Sequence, residues 1–292
     1  MYHNSFRRVA IGLVVLVLFS SPVFATPRVL IVGDSWAAGV WATRAMDEVF
    51  QEFGMQGVES EATLTAVSGS KASQWAKQDW LNYITYELAV YPTIDTVHII
   101  IGGNDVLARI QNTNVFTGLN QYFRNSWWNE IKKNVQTVCN YCLLHPQIKH
   151  VVIGGYDYLN RTTAEFVMSL MGQKCTFGGM SQYQVNKAFI EVGQKMAEIA
   201  LSTPNVGYVQ NFGLLQWYFN WPAGSAHPGL YPTYNPWPGG NAYFPMPDAS
   251  FDPLWVGSFA LPGDGIHPNE NAHKVMLRNA VQQFYTHWYG SK

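Results

Sequence analysis

The sequence predicts an α/β fold: a three-layer α/β/α sandwich around a central parallel sheet of about five strands. Three observations carry this expectation. Apolar runs of strand length, "RVLIVG", "DTVHIIIGG" and "KHVVIGG", recur along the chain, and each ends in glycine followed by polar residues. The intervals between them place apolar side chains at helical spacing, so strand and helix alternate. The chain has 292 residues, 48% of them hydrophobic, enough to bury one large core. Continuously apolar strands joined by helical crossovers imply a parallel sheet covered on both faces.

Each element follows from local signals. Residues 28–33 read as a buried strand and 36–53 as a helix with Val40, Trp41, Ala45, Val49 and Phe53 on its apolar positions, ended by Gly54. A strand-like segment near 61–67 leads into "SGSKASQW"; a helix over 79–90 precedes Pro92 and the strand "DTVHIIIGG". The spacing then predicts a helix over 128–144 stopping before Pro146, a strand over 149–155, a helix over 182–201, a strand over 205–210 and a closing helix over 269–288. No tandem repeat is present. One stretch breaks the composition: 212–262 holds thirteen aromatic residues and nine prolines, with Asp248 and Asp252 its only charges.

The first 25 residues read as a secretory signal, with Arg7 and Arg8 before an apolar run, then Pro22 and a cleavage pattern ending at Ala25. The run is too short to span a bilayer, and no later stretch approaches the roughly 20 apolar residues required, so no integral membrane segment is expected after cleavage. The mature chain, residues 26–292, is then a single exported domain, secreted or periplasmic. Losing Arg7 and Arg8 leaves 16 Lys and Arg against 19 Asp and Glu, a balance that offers nucleic acid no basic surface. Of the three cysteines, Cys139 and Cys142 form a C-N-Y-C pair. That pair lies near the end of its helix, where the dipole disfavours thiolate, so a redox role is not expected. In an oxidising compartment, Cys175 is expected to bond Cys139 or Cys142. No fourth ligand at metal spacing accompanies them, and no metal or organic cofactor is expected. Oligomeric state has no sequence signature here.

The chemistry gathers in the loops after the strands, where ligands sit in parallel sheets. Gly33-Asp34-Ser35 follows the first strand, Ser68-Gly69-Ser70 the second, and Gly102-Gly103-Asn104-Asp105 the third; "GDGIHPNE" places Asp264 three residues before His267, ahead of the final helix. Each alone has an ordinary reading: Asp34 or Ser35 as a helix cap, Asp264 as a turn residue. Together and in this order they resemble the sequence blocks of the SGNH/GDSL hydrolase family, whose sheet is flavodoxin-like. The resemblance implies that Ser35 is the nucleophile, His267 the base and Asp264 its orienting partner. It also implies an oxyanion hole made by the N–H groups of Ser35 and Gly69 and the amide of Asn104. Trp36 departs from the leucine commoner after that serine and is expected to shape the pocket wall. No Gly-x-Ser-x-Gly elbow is present, which speaks against the α/β-hydrolase version of such a triad.

The implied activity is an exported serine esterase, acting on a small-molecule or glycan ester and most naturally removing a short acyl group from a carbohydrate. A lipase or lysophospholipase, an acyltransferase, and a non-catalytic glycan-binding protein are the alternatives on the same fold. The aromatic insert is expected to overhang the site, with Trp217, Trp221, Trp237 and Trp255 as a sugar platform, an acyl groove or a self-packed lid. Asp157, after the fourth strand, is expected at the active edge of the sheet. His98, inside an apolar strand, reads as a satisfied interior side chain, whereas His273 and His287 in the last helix read as exposed.

Overall fold

The computed structural model describes residues 26–111, 120–172, 177–229, 238–256, 259–261 and 263–290, so the expected leader at 1–25 lies outside the described residues. In chain order, β1 (Pro27–Gly33) leads into α1 (Ser35–Ala42) and α2 (Ala45–Glu52). Next come β2 (Glu59–Glu61), α3 (Ala72–Trp75), α4 (Gln78–Val90), β3 (Thr96–Ile100) and α5 (Gly103–Gln111). They are followed by α6 (Gln121–Leu144), β4 (His150–Gly154), α7 (Arg161–Leu170), α8 (Gln182–Ser202) and β5 (Val206–Val209). The last part holds α9 (Leu214–Tyr218), a hairpin of β6 (Leu254–Val256) and β7 (Phe259–Leu261), α10 (Glu270–Ala280) and α11 (Thr286–Tyr289). A π turn at Val281–Tyr285 joins the final two helices.

The five-stranded sheet runs in the order β2-β1-β3-β4-β5, with every pair parallel. Val29 to Val32 are wholly buried, as are Val97, Ile99, Val151 and Val152, which is why these strands read as continuous apolar runs rather than alternating ones. The connection from β1 to β2 runs one way along the sheet and the connection from β2 to β3 runs back past β1. Right-handed crossovers therefore place α1 and α2 on one face and α4, α6 and α8 on the other. The C-terminal α10 packs with α1 and α2, completing the first layer, while α6 packs against α4 and α8 in the second. The reversal between β1 and β3 opens a crevice outside their carboxyl ends, where a sheet of this order binds its ligand.

Several element boundaries differ from the sequence expectation. The helix expected over 36–53 breaks at Thr43-Arg44: the Thr43 hydroxyl donates back to the Gly39 carbonyl at 2.8 Å, and Arg44 turns left-handed, with φ 55°. Its guanidinium then pairs with Asp47 at 2.5 Å. β2 stops at Glu61 because that carboxylate accepts from the N–H groups of Ala62 and Thr63 at 2.8 and 2.7 Å, folding the chain into a turn. α6 begins seven residues before its expected start, capped by the Asn120 side chain accepting from Tyr122 N–H. His98 is interior and bonded to the Tyr285 hydroxyl at 2.8 Å, as expected. His273 is not exposed: it lies on the inner face of α10, against Gly39 of α1, and burial pushes its pKa down to about 3.

The segment 212–262 has its own polar scaffold. Gln216, fully buried, donates to the carbonyls of Phe244 and Pro245 at 3.0 and 2.8 Å and accepts from Asn241 N–H at 2.6 Å. From α8, the Asn186 amide donates to the carbonyls of Ala242 and Phe244, both at 2.9 Å. These buried side chains satisfy backbone groups that have no strand or helix partner.

Candidate active site

Ser35 is the first residue of α1, and the turn before it is held from three sides. Asp34 N–H donates to the Ile100 carbonyl at 3.1 Å, and the Asp34 carboxylate accepts from Trp36 N–H at 3.0 Å as the helix cap. Its other oxygen accepts from the Tyr156 hydroxyl at 2.5 Å. The turn passes close to β3: a Cβ on Gly33 would lie 1.9 Å from the Ile100 carbonyl oxygen, so only glycine allows that approach. Asp34 is thus both the helix cap and a buried anchor beside Ser35. Burial pushes its pKa up to about 6, against the pull of the Tyr156 and Trp36 donors.

The second loop is shaped for contact with the first. Gly69 has φ +77°, a left-handed conformation that a side chain would strain. Ser70 Oγ donates to the Gly33 carbonyl at 3.1 Å and accepts from the Trp75 indole at 2.9 Å, and the Asn104 amide donates to the Ser70 carbonyl at 3.1 Å. Asp105 completes the junction by accepting from Ala72 N–H at 2.7 Å. The loops after β1, β2 and β3 are therefore one hydrogen-bonded assembly, with Ser35, Gly69 and Asn104 on it.

His267 reaches this assembly from the other end of the chain. Its Nε2 lies 2.8 Å from Ser35 Oγ and its Nδ1 lies 2.5 Å from Asp264 Oδ2, while Asp264 Oδ1 accepts from the N–H groups of Ile266 and His267, both at 2.8 Å. The Asp264 carboxylate is satisfied on both oxygens within four residues of chain. Burial tends to raise its pKa, but the bond and charge of His267 outweigh this and hold it below the usual range. Burial tends to lower the His267 pKa; the bond and charge of Asp264, with the charge of Asp34, outweigh that and raise it. A serine hydroxyl, an imidazole and a carboxylate in this order give proton transfer from the hydroxyl a path to Nε2, with the resulting imidazolium stabilised at Nδ1. Among the described residues, no cluster of His, Cys, Asp and Glu is arranged to hold a metal ion.

No family model matches the sequence, and no curated protein matches it. Solved structures do align with it. A lipase, Lip_vut3, from a goat rumen metagenome shares 11% identity over 89% of this chain and 98% of its own, with a TM-score of 0.51. A protein from Streptococcus pneumonia, provisionally described as a platelet activating factor, shares 12% over 90% and 86%, with a TM-score of 0.50. A gut microbial diltiazem-metabolizing enzyme shares 13% over 88% of this chain and 46% of its own, at 0.52. The chain shares with these structures a three-layer α/β/α fold around a five-stranded parallel sheet.

On this frame a cleft of about 450 Å³ opens beside Ser35, His267 and Asp264. Gly69, Asn104, Asp264 and His267 line one side of it, and Leu107, Val167, Met168 and Met171 line the other. The apolar wall comes from α5, α7 and the residue just past α7; no described residue of the 212–262 insert belongs to it, and residues 230–237, 257–258 and 262 of that insert lie outside the described residues. A larger cleft, of about 500 Å³, lies at the start of α8 and contains none of Ser35, Asp264 or His267.

Of the expected substrate contacts, Trp36, Asp157 and Trp217 do not line this cleft. Trp36 is interior, only 3% exposed, because its ring packs edge-on against Tyr156 at 5.0 Å and His273 at 6.1 Å. Asp157 is fully buried: its carboxylate accepts from the N–H groups of Tyr158, Gly213 and Leu215, the last two at the start of α9. Burial pushes its pKa up to about 7. It anchors the insert and faces no substrate. Trp217 is 43% exposed, packs T-shaped with His227 at 4.4 Å between ring centroids, and does not line the triad cleft. Trp255 lies on β6, its side chain outside the described residues, as is Trp237. Cys175 also lies outside them, while Cys139 and Cys142 are free, fully buried thiols.

Sequence reasoning missed Tyr156. Its hydroxyl donates to Asp34 and accepts from Gly103 N–H at 3.0 Å, tying the nucleophile turn to the Asn104 loop; a Cβ on Gly103 would sit 2.9 Å from its ring. The only signal was its position just after the fourth strand, shared with the neighbouring Asp157.

Proposed function

We propose that the protein is an exported serine hydrolase of carboxylic esters, with Ser35 as nucleophile, His267 as general base and acid, and Asp264 as the carboxylate that orients it. The observation that carries this reading is the contact of His267 Nε2 with Ser35 Oγ at 2.8 Å while Nδ1 is held by Asp264. Ser35 Oγ attacks the ester carbonyl carbon as its proton passes to His267 Nε2. The tetrahedral oxyanion is received by the N–H groups of Ser35 and Gly69 and the amide of Asn104, donors fixed before the charge develops. Collapse breaks the bond to the alcohol oxygen, which takes the proton from His267. Water then attacks the acyl-enzyme, gives a proton to His267, and releases the carboxylic acid while Ser35 recovers its hydrogen. An acceptor alcohol in place of that water makes the same site an acyltransferase.

The substrate is an ester of a short acyl group on a carbohydrate. The insert is nearly uncharged and exposes aromatic rings at Trp217, Trp221 and Tyr243 outside the triad cleft, a surface that suits a neutral glycan extending beyond the reacting ester. A lipase-type reading has its own support in the apolar side of the cleft, where Leu107, Val167, Met168 and Met171 offer a longer acyl chain a dry wall. Turnover of p-nitrophenyl acetate, butyrate and octanoate by purified protein, with and without Ser35→Ala, tests the activity and orders the two acyl readings. Turnover that survives Ser35→Ala overturns the mechanism.

A further inference from the structure

Beside the triad cleft lies a second hollow of about 340 Å³, and the two share Lys71 and Ala108 in their walls. They differ in chemistry. The triad cleft sets its catalytic groups against Leu107, Val167, Met168 and Met171, whereas the second hollow presents Ser73, Arg109, Glu130 and Asn134 around the indole of Trp127. Resting on the proposed esterase reading, we infer that the second hollow is the alcohol-side subsite: it takes a neutral oligosaccharide whose ester is cleaved at Ser35, while the apolar wall of the triad cleft takes the acyl group.

The position follows from the loop. Lys71 stands two residues after Gly69 and lines both hollows, its ammonium balanced in the second of them by the Asp105 carboxylate, on which its charge acts. An ester bound at Ser35 must send its acyl and alcohol halves in different directions. One exit is apolar and the other polar, and the oxyanion loop lies between them.

The ligand class follows from the lining. Arg109 pairs with Glu130 at 2.6 Å, and Asp105 is engaged by the backbone N–H of Ala72, so these charges are already answered within the protein. What remains for a ligand is a set of hydrogen-bonding groups of both senses with little net charge, matched to hydroxyls rather than to carboxylates or phosphates. The Arg109 guanidinium lies over one face of the Trp127 ring, 5.8 Å from its centroid, and both planar groups line the hollow. Planar side chains beside hydrogen-bonding groups of both senses suit a pyranose, and the volume falls within the roughly 300–1,000 Å³ of small-ligand sites. The exposed tryptophans of the insert line neither hollow.

The test separates the alcohol from the acyl group. Acetyl esters of xylose, xylotriose and xylopentaose, together with p-nitrophenyl acetate, are compared on the wild type, Trp127→Ala and Asn134→Ala. The wild type is expected to raise kcat/KM at least tenfold from acetylated xylose to acetylated xylotriose, through KM. Both variants should lose that gain and keep p-nitrophenyl acetate turnover within twofold of wild type; Asn134→Ala serves where Trp127→Ala fails to fold. A flat response to oligosaccharide length in the wild type, or a gain that survives both substitutions, overturns the subsite while leaving the esterase reading in place. Absent turnover of p-nitrophenyl acetate by the wild type overturns the esterase reading itself, and the subsite with it.

Discussion

Tyr156, from the loop after β4, donates its hydroxyl to the Asp34 carboxylate at 2.5 Å, so a residue two strands away from β1 holds the turn that carries Ser35. Asp34 has its pKa raised from 3.8 to about 6, mainly by burial. The folded state therefore binds this proton more tightly than the unfolded chain, and the contribution of Asp34 to stability falls as pH rises from about 4 through 6. Above that window the carboxylate is buried and ionised, and the Tyr156 bond is charge-assisted.

Tyr156→Phe should accordingly cost more stability at pH 8 than at pH 5. At pH 8 the loss of a hydrogen bond to a buried carboxylate is worth about 1.5–3 kcal/mol, and at pH 5, with Asp34 largely protonated, about 0.5–1.5 kcal/mol. Denaturant unfolding of both proteins at the two pH values measures the difference. Equal costs at both would mean that Asp34 keeps one protonation state throughout.

The pH dependence of ester cleavage should show an acid limb governed by His267. The base must be neutral to take the serine proton, and Asp264 and Asp34 raise its pKa against the effect of burial. The midpoint of kcat/KM is therefore expected above 6.5, the ordinary histidine value. Asp264→Asn should move that midpoint down and cut turnover by about 10³–10⁴-fold, because Nδ1 loses its charged acceptor. A midpoint that does not move would place the titrating group elsewhere.

Asp157→Ala should loosen the insert without touching the chemistry. Three backbone N–H groups lose their acceptor in a buried place, at a cost of about 2–4 kcal/mol. Thermal melting should shift down, while the kcat/KM of the folded protein for p-nitrophenyl acetate stays within a few-fold of wild type. A large loss of turnover at full stability would return Asp157 to the active site.

Cys139 and Cys142 should resist alkylation in the native protein. Burial pushes the Cys142 thiol up to about 12 and the Cys139 thiol well above its ordinary value, so neither offers thiolate near neutrality, and both are fully buried. Iodoacetamide at pH 8 should label neither until denaturant is added. If either is blocked in denatured, unreduced protein, a disulfide to Cys175 has formed.

The strands, their order of use and the loops after them were legible because buried parallel strands leave an unmistakable apolar run and the polar residues after each run share one edge of the sheet. That logic brought Ser35, Gly69, Asn104 and the Asp264–His267 loop to one place. It did not say which way a side chain next to a site residue points. Trp36 follows the nucleophile but turns into the α1–α10 interface, and Asp157 is claimed by the backbone of α9. His273 was misread because one face of a short helix is fixed by what packs on it, here Gly39, which leaves room for a ring. The wall of the cleft comes from α5 and α7, a pairing of helices that periodicity alone does not reveal.

The loop bearing Asp264 and His267 has no strand of its own to support it. Asn160 N–H holds it through the Gly265 carbonyl at 2.8 Å, and the Asn269 backbone and side chain bond the carbonyls of Ser250 and Ala249 at 2.8 and 3.1 Å. Those two carbonyls belong to the aromatic insert. The insert is thus no detachable ornament: cutting it back to a short bridge removes two carbonyls that hold the segment following Asp264 and His267. Any shortened descendant of this chain has to supply Asn269 with two other acceptors.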